Sequence, residues 1–327
     1  MDKIDFVIPW VDHNDPVWQK DFKKYNLNHK EEDSSFERYR DWGLLKYWFR
    51  GVENNAPWVN KIHFITYGHV PTWLNINHPK INIVKHDSYI PQKYLPVFSA
   101  NPIEIFINRI PELSEKFVYF NDDIYLLNKV EPTDFFRNEK PCDIFSLNAI
   151  SPTGISHILL NNLEAISLHF NKQDVMKKNF NKWFKLKYKD KLIRTLFLLP
   201  WPSFTGFFDH HLHQAYLKKT FDEVWNKNKD ILLLTAQSKF RNINDVNQYL
   251  FRYWQLCNGD FYPRSYDEFK YFSLVNDNID LILKTITNKS KKIITLNDGA
   301  IDNIEIIFEK INLAFNTIFE SKSSFEK

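Results

Sequence analysis

Short apolar runs alternate with helical patterns through the first third of the chain. Four runs, each closed by proline, glycine or polar residues, predict buried strands at Ile4 to Trp10, Ile62 to Tyr67, Ile81 to Lys85 and Phe117 to Phe120. Apolar spacing between them predicts helices at Trp42 to Val52 and Ile103 to Ile110. This alternation indicates an α/β domain with a largely parallel sheet flanked by helices.

The pattern after residue 200 is mostly helical. It predicts helices from His210 to about Asn226 and from Ile243 to Leu256, then a short strand at Ile293 to Leu296 and an amphipathic helix around Ile301 to Phe319. Residues 151–203 are mixed and predict no definite element, and the polar residues 24–35 predict a flexible loop.

Composition narrows the class of protein. The net charge of +3, from 43 basic and 40 acidic residues, leaves no electrostatic footprint for nucleic acid. Cys142 and Cys257 lie far apart and outside any metal-binding spacing, which is typical of reduced cysteines. With no signal segment and no long apolar run, we expect a cytoplasmic protein. The lysine- and aromatic-rich residues 177–191 could lie on the inner membrane face, although a solvated helix face explains them better.

Acidic residues follow two of the predicted strands. Asp12 and Asp15 come after the first strand, and Asn121-Asp122-Asp123 comes directly after the fourth. In open α/β sheets ligands bind beyond the carboxyl ends of the strands, and paired carboxylates suit Mg²⁺ or Mn²⁺. By spacing alone, a simple turn explains Asp122-Asp123 equally well.

The residues around Asp12 allow two interpretations. Asp15 before Pro16 is typical of a helix N-cap. Asp12 is interpreted as functional, contacting a nucleotide or a metal.

Histidines and arginines supply further candidates. The run His210-His211-Leu212-His213 could provide a general base near neutral pH, a metal ligand or neither. Guanidinium groups match phosphate oxygens, but composition cannot choose among Arg38, Arg40, Arg50, Arg109 and Arg241. The motifs of P-loop, Rossmann, α/β-hydrolase and zincin proteins do not occur in the sequence.

Longer ordered runs carry a resemblance. The run Asp5-Phe6-Val7-Ile8-Pro9-Trp10-Val11-Asp12 resembles the first signature region of the Stealth family of sugar-phosphate transferases. Arg40 to Glu53, continuing through Ala56-Pro57-Trp58-Val59 to Asn121-Asp122-Asp123, resembles the second. His211 to Trp225 and Phe240 to Leu256 resemble the third and fourth. These regions, at about 1–16, 36–136, 205–226 and 240–257, define a catalytic domain over residues 1–262, with residues 263–327 as a C-terminal extension.

The resemblance implies a fold and an activity. The implied fold is similar to GT-A glycosyltransferases, with a mixed, largely parallel sheet and a helical C-terminal part. The implied reaction transfers hexose-1-phosphate from a nucleotide-diphospho-sugar to a sugar hydroxyl, on a polysaccharide or lipid-linked glycan acceptor, in bacterial capsular or exopolysaccharide synthesis. Two alternatives stay open: a conventional metal-dependent GT-A glycosyltransferase, and a carbohydrate-binding protein with a vestigial pocket.

The resemblance also implies roles for individual residues. The implied catalytic residues are Asp123, His211 and Arg241, with His211 as base, and the implied metal ligands for Mg²⁺ or Mn²⁺ are Asp122 and Asp123. The implied donor-binding residues are Asp12, Arg40, Glu104, Arg109 and Asn121. The proline that often follows the family histidine is absent here, so His213 remains an alternative to His211.

Overall fold

The computed structural model describes residues 3–26, 42–299 and 303–327 of the chain. Its strands are β1 Ile4–Pro9, β2 Ile62–Thr66, β3 Ile81–Lys85, β4 Lys116–Tyr119, β5 Ile124–Leu126, β6 Phe136–Arg137, β7 Lys140–Asp143, β8 Gln214–Leu217, β9 Tyr262–Pro263, β10 Phe269–Ser273 and β11 Ile293–Asn297. Its helices are α1 Pro16–Tyr25, α2 Leu45–Asn55, α3 Ala100–Glu104, α4 Pro132–Phe135, α5 Ser156–Ser167, α6 Lys172–Lys178, α7 Phe180–Trp183, α8 Asp190–Leu198, α9 Lys218–Lys227, α10 Lys229–Ala236, α11 Tyr249–Asn258, α12 Ile279–Thr287 and α13 Ile304–Ile318.

A five-stranded sheet with the order β3-β2-β1-β4-β8 forms the centre of the molecule. The first four strands are parallel and β8 runs antiparallel to β4. Both faces of β1 are buried, because Phe6 and Ile8 pack into one core while Val7 packs into the other. The predicted α/β class and the mixed, largely parallel sheet flanked by helices are therefore confirmed.

The C-terminal part contributes strands as well as helices. β11 pairs with β10 in parallel and with β5 antiparallel, which makes a second sheet of three strands. α12 and α13 pack beside it, and their buried residues belong to the same core as those of β1. The predicted strand at Ile293 and the predicted C-terminal helix are confirmed, and residues 263–327 share their core with the preceding chain. The domain boundary at residue 262 stays a prediction.

Three predicted helices are wrong in part. The helix predicted from Ile243 to Leu256 begins only at Tyr249, as α11. The chain from His210 to Asn226 begins with a tight turn and the strand β8, and only then becomes α9. Ala215 and Leu217 face one core and Tyr216 faces the other, so pairing with β4 imposes a period of two.

The prediction of a helix from Ile103 to Ile110 is wrong for a different reason. Ser99 caps an earlier, shorter helix, α3, and accepts a hydrogen bond from Asn101 N at 3.4 Å. The predicted loop at residues 24–35 falls mostly outside the described residues.

Candidate active site

The acidic turn after β4 joins the two sheets. Asn121, Asp122 and Asp123 lie between β4 of the main sheet and β5 of the second sheet. Ile124 N donates to Asn121 O at 3.2 Å and closes the turn, while Leu296 N donates to Asp123 O at 2.8 Å. The turn interpretation was therefore right about the backbone, and the same turn presents its side chains to a large cleft.

His211 reaches this turn from the neighbouring strand. Because β8 runs antiparallel to β4, with Gln214 opposite Tyr119, the residues before β8 lie at the carboxyl end of β4. His211 Nε2 lies 3.2 Å from Asp123 Oδ2. The backbone of His211 has φ 43°, the left-handed region that histidine adopts more readily than most side chains. Thr295 Oγ1 holds this turn by donating to His211 O at 2.7 Å.

The electrostatics of this pair make the His211 imidazole a stronger base. Burial opposes the charge on His211, but hydrogen bonding to Asp123 and the nearby negative charges of Asp123, Glu104 and Asp122 outweigh it and raise the pKa of His211 above its usual value. Asp123 Oδ1 is buried, and no donor in the described part of the chain reaches it. The Asp123 carboxylate therefore holds one partner and has an oxygen left for another.

Glu104, at the end of α3, is a second buried carboxyl in the cleft. Its Oε1 accepts a hydrogen bond from Tyr119 at 2.9 Å, and its Oε2 accepts one from Gln248 N at 3.1 Å. Burial raises the pKa of Glu104 to about 7, against the opposing effect of these hydrogen bonds and of the positive charges on Arg241 and His211. Glu104 can therefore exist in both protonation states near neutral pH.

Arg241 supplies a cation on the same side of the cleft. Burial raises the pKa of both Glu104 and Asp245, and the positive charge of Arg241 opposes that rise at each of these two carboxyls. Asp245 in turn accepts from Asn101 Nδ2 at 2.8 Å and from Asn242 N at 2.9 Å, and these bonds fix the loop that carries Arg241.

The cleft itself has a volume of about 1150 Å³. Its lining includes four of the predicted carboxylate and amide residues together with the predicted base and cation, namely Glu104, Asn121, Asp122, Asp123, His211 and Arg241. Aromatic walls are provided by Trp10, Trp18, Trp42, Phe98 and Tyr249. The volume exceeds the upper end of the roughly 300–1,000 Å³ usual for a small-molecule site, so the cleft has room for two substrates.

The C-terminal segment contributes residues that the sequence reasoning missed. Asn297 ends β11, and Asp298 and Gly299 follow it. All three line the cleft beside the acidic turn, because Leu296 N donates to Asp123 O at 2.8 Å. The signal was present, because Asn297-Asp298 follows a predicted strand in the same way that Asn121-Asp122-Asp123 does. The family resemblance does not reach residues 263–327, so it assigns no role to Asn297 and Asp298.

Other predicted residues lie elsewhere. Asp12 does not line the cleft, and its Oδ1 accepts from Asn14 N at 2.8 Å in a local turn. Arg109 is exposed away from the cleft, with its guanidinium 5.1 Å from the ring centre of Trp225. Arg40 falls outside the described residues. Asp15 caps α1 and accepts from Trp18 N at 2.7 Å, as predicted.

The structure distinguishes the two candidate histidines. His213 is buried among aromatic rings, with ring centres 5.0 Å from Phe135 and 4.6 Å from Phe269, and it does not line the cleft. Burial lowers its pKa well below the usual value, so it stays neutral. His211, two residues earlier, is the histidine that faces the cleft.

A second charged group lies behind the histidine turn. Arg252 is fully buried and donates from Nε and Nη2 to Asp143 at 2.9 Å each, and from Nη1 to Asp209 at 2.8 Å. Tyr253 also donates to Asp209, at 2.6 Å, and Tyr266 contacts His210 Nε2 at 2.8 Å. These bonds hold the backbone on one side of His211.

The acidic turn is the candidate site for a metal ion. Within the described ranges, no three or more histidine, cysteine, aspartate or glutamate side chains cluster as a metal site would require. Asp122 and Asp123 nevertheless fit a Mg²⁺ ion that takes its remaining ligands from phosphate oxygens and water, because Asp123 Oδ1 is buried without a donor among the described groups.

Within the described ranges of the chain, no helix is long and apolar enough to cross a membrane.

Comparisons with known proteins agree with the sequence resemblance. The family descriptions "Stealth protein CR1, conserved region 1" and "Stealth protein CR2, conserved region 2" match residues 2–30 and 38–143. The chain is 45% identical over 334 residues to a capsular polysaccharide phosphotransferase, WcwK, of Streptococcus pneumoniae, covering 100% of this chain and 99% of the relative.

Two further proteins are similar to the chain, one in sequence and one among solved structures. The receptor polysaccharide phosphotransferase WefC of Streptococcus gordonii is 41% identical, over 100% of this chain and 99% of its own. Among solved structures, a galactosyltransferase, LgtC, in complex with donor and acceptor sugar analogs, is 7% identical with a TM-score of 0.44, covering 98% of this chain and 96% of that chain. On the extent and identity of the sequence matches, the chain belongs to the Stealth family of phosphotransferases.

Proposed function

We propose that this phosphotransferase transfers hexose-1-phosphate from a nucleotide-diphospho-sugar to a sugar hydroxyl, forming a phosphodiester in capsular or exopolysaccharide synthesis. The observation that carries the proposal is the contact of His211 Nε2 with Asp123 Oδ2, 3.2 Å apart, in a cleft that also holds Glu104 and Arg241. The names of the relatives, which are polysaccharide phosphotransferases, support the same chemistry.

The reaction needs a base for the attacking hydroxyl. When His211 donates Nε2–H to Asp123, its other ring nitrogen, Nδ1, is left to accept the proton of the acceptor sugar hydroxyl. The freed oxygen attacks the phosphorus that bears the sugar, and a new P–O bond forms. The phosphoanhydride bond breaks, and the nucleoside monophosphate leaves with the bridging oxygen. The proton stays on His211 as imidazolium, which the Asp123 carboxylate stabilises.

The diphosphate needs positive charge. Arg241 lies in the cleft and its planar fork matches phosphate oxygens. Asp122 and Asp123 are the residues that would hold a Mg²⁺ or Mn²⁺ ion, which when bound would neutralise charge on the phosphate oxygens. In phosphoryl transfer the protein mostly supplies position and charge neutralisation, so this small group of side chains is sufficient.

The remaining cleft residues bind the donor and the acceptor. Glu104 is suited to accept hydrogen bonds from the donor sugar, because each of its oxygens has a lone pair beyond the one used by Tyr119 or Gln248. Asn121 lies in the same lining. Tryptophan walls give flat apolar faces for sugar rings or a nucleobase. Asp12 and Arg109 do not line the cleft and are not proposed to bind the donor, whereas the predicted donor contact of Arg40 stays a proposal.

The product nucleotide tests the proposal. The protein is incubated with Mg²⁺, a panel of nucleotide sugars and a polysaccharide acceptor, and ³¹P NMR follows the phosphorus. A nucleoside monophosphate together with a phosphodiester resonance is the expected result. A nucleoside diphosphate would instead identify a conventional glycosyltransferase. Absence of nucleotide release with every donor, while the protein still binds sugars, would identify a binding protein.

A further inference from the structure

An apolar surface lies on the segment from α7 to the residues after α8. Its exposed side chains, which we call the α8 surface, are Phe180, Leu186, Ile193, Leu196, Phe197 and Trp201. Leu186 is 90% exposed and Phe197 is 76% exposed. Ile193, Leu196 and Phe197 recur at helical spacing and lie along one side of α8, and Trp201 follows three residues after the helix ends.

The inner side of α8 carries Thr195 together with Leu198, which packs against the core. Thr195 is buried and its Oγ1 accepts from Leu147 N and donates to Lys191 O, both at 3.0 Å. Buried Lys172 donates to Leu198 O at 2.9 Å and to Trp201 O at 2.5 Å. These bonds anchor the helix, and they fix it with Ile193, Leu196 and Phe197 turned outward.

Basic residues surround this apolar surface. Residues 177–194 contain eight lysines and arginines and one acidic residue, Asp190. Four of the lysines are engaged: Lys182 donates to Phe261 O at 3.1 Å and Lys187 to Pro263 O at 2.5 Å, while Lys189 lies 2.8 Å from Asp267 and Lys191 pairs with Asp190. Lys177 and Lys178 are exposed at the end of α6. The exposed apolar side chains therefore lie in a segment with a clear excess of positive charge.

We propose that the α8 surface docks onto a membrane that contains anionic lipid. Aromatic and aliphatic side chains would enter the boundary between headgroups and acyl chains, while the lysines would contact lipid phosphates. A second copy of this chain is a poorer occupant, because two such surfaces would bring like charges together. Exposed apolar residues alone do not carry the argument: α13 also exposes Ile306 and Leu313, but acidic Glu305 and Glu309 accompany them.

The α8 surface is connected to the cleft through the chain between β7 and α5. Arg194 Nη1 donates to Asn148 Oδ1 at 2.7 Å, and Thr195 accepts from Leu147 N. Ile155, at the end of the same connection, lines the cleft. Docking by α8 would therefore orient the cleft with respect to the membrane, which suits a lipid-linked acceptor if the proposed function holds. Membrane binding itself is measured without turnover and stands apart from that function.

Vesicle sedimentation tests the proposal. The full chain is mixed with vesicles of equal parts phosphatidylglycerol and phosphatidylcholine, or of phosphatidylcholine alone, at low and at high salt. We expect binding to the anionic vesicles, much weaker binding to the neutral ones, and weakening by salt. The double variant Phe197→Ser/Trp201→Ser should lower the partition coefficient by about tenfold or more, because two large apolar side chains are lost from the interface.

Two further variants separate the possible outcomes. The matched control Ile306→Ser/Leu313→Ser, on α13, should bind anionic vesicles as the wild type does. Lys177→Glu/Lys178→Glu leaves the apolar side chains intact and should also weaken binding, which gives a second test if the serine variant folds poorly by circular dichroism. Wild-type protein that stays in solution with anionic vesicles would overturn the proposal. The proposal would also be overturned if both Phe197→Ser/Trp201→Ser and Lys177→Glu/Lys178→Glu bound anionic vesicles as the wild type does. A dimer in sedimentation velocity that only Phe197→Ser/Trp201→Ser dissociates would overturn it as well.

Discussion

Two groups of charged residues lie on either side of the turn at residues 209–213, and they differ in how completely their charges are matched. The buried charge cluster consists of Asp143, Asp209 and Arg252. The cleft charge cluster consists of Glu104, Asp123, His211 and Arg241. Both combine carboxylates with cations, and both lie at the carboxyl end of β4 and the beginning of β8.

The two clusters differ in whether every carboxylate oxygen has a hydrogen-bond donor. In the buried cluster both oxygens of Asp143 accept from Arg252 at 2.9 Å, and although burial raises the carboxyl's pKa, the guanidinium charge and its hydrogen bonds dominate and hold it well below its usual range. In the cleft cluster Asp123 Oδ1 has no donor among the described residues, and burial raises the pKa of Glu104 to about 7. Burial also raises the pKa of Asp209 in the buried cluster, to about 6, but both of its oxygens accept hydrogen bonds, from Arg252 and Tyr253. Carboxylates with all their oxygens hydrogen-bonded stabilise the fold, whereas a carboxylate oxygen without a donor remains available to a ligand.

The largest expected effect is on turnover, from a change in the cleft cluster. His211→Asn removes the proposed base, and we expect turnover to fall by about 10³-fold, within the range for loss of general base catalysis. Asparagine is chosen because it tolerates the left-handed backbone conformation of residue 211. The measurement is nucleotide release under saturating donor and acceptor, with the melting temperature taken in parallel.

The matched control for this variant is His213→Phe. His213 already lies among aromatic rings and outside the cleft, so phenylalanine should leave turnover within a few-fold of the wild type. If His211→Asn keeps near wild-type turnover, or if His213→Phe is the variant that loses it, the assignment of the base is wrong.

The next effect is on stability, from a change in the buried cluster. Arg252→Met leaves the buried Asp143 carboxylate without its cation, and we expect the free energy of unfolding to fall by about 3–5 kcal/mol. Urea denaturation followed by fluorescence measures this loss. Arg109→Met is the control, since that arginine is exposed against Trp225 and should lose far less. Equal losses for the two variants would remove the distinction between a matched buried cluster and an ordinary surface arginine.

A third effect concerns pH and belongs to Glu104. Its pKa is about 7 in the folded protein and 4.5 for the ordinary side chain, so between these values the folded state holds a proton that the unfolded state has released. Stability from this group is complete below pH 4.5 and is lost as pH rises through 7, by about 3 kcal/mol in total. Glu104→Gln, which cannot ionise, should remove this part of the pH dependence.

The measurement compares the wild type with Glu104→Gln in urea at several pH values. The difference between their unfolding free energies should move in favour of the glutamine variant as pH rises from 5 to 8. Glutamine can keep both contacts, because its oxygen accepts from Gln248 N while its amide donates to the Tyr119 oxygen. A difference that stays constant with pH would show that Glu104 is ionised throughout and already matched.

The sequence was informative where the chain's own periodicity decides the structure. The runs at Ile4, Ile62, Ile81 and Phe117 became four parallel strands of one sheet. Three of them are buried on both faces, and the run at Ile81 forms the edge strand, in which only Val84 is buried. It failed at Gln214–Leu217, where pairing with β4 overrides a pattern that is also compatible with a helix.

The site shows the same division. Asp123 could be placed from its position after a strand, and His211 and Arg241 from the family resemblance. The 3.2 Å contact between His211 and Asp123 could not be predicted, since it depends on β8 running antiparallel to β4. The contribution of Asn297 and Asp298 depends on β11 pairing with β5, a contact between residues more than 160 positions apart in the sequence.

The smallest expected effect concerns the hydrogen bond between Thr295 and the backbone of the histidine turn. Thr295 is buried, and its Oγ1 donates to His211 O at 2.7 Å, whereas Asp209 and Arg252 hold the turn from the other side. Thr295→Val keeps the shape and removes the donor, so we expect a stability loss of about 1 kcal/mol. If the bond also positions the base, kcat should fall several-fold while KM stays unchanged; a change in stability alone would mean that the buried cluster is sufficient to fix His211.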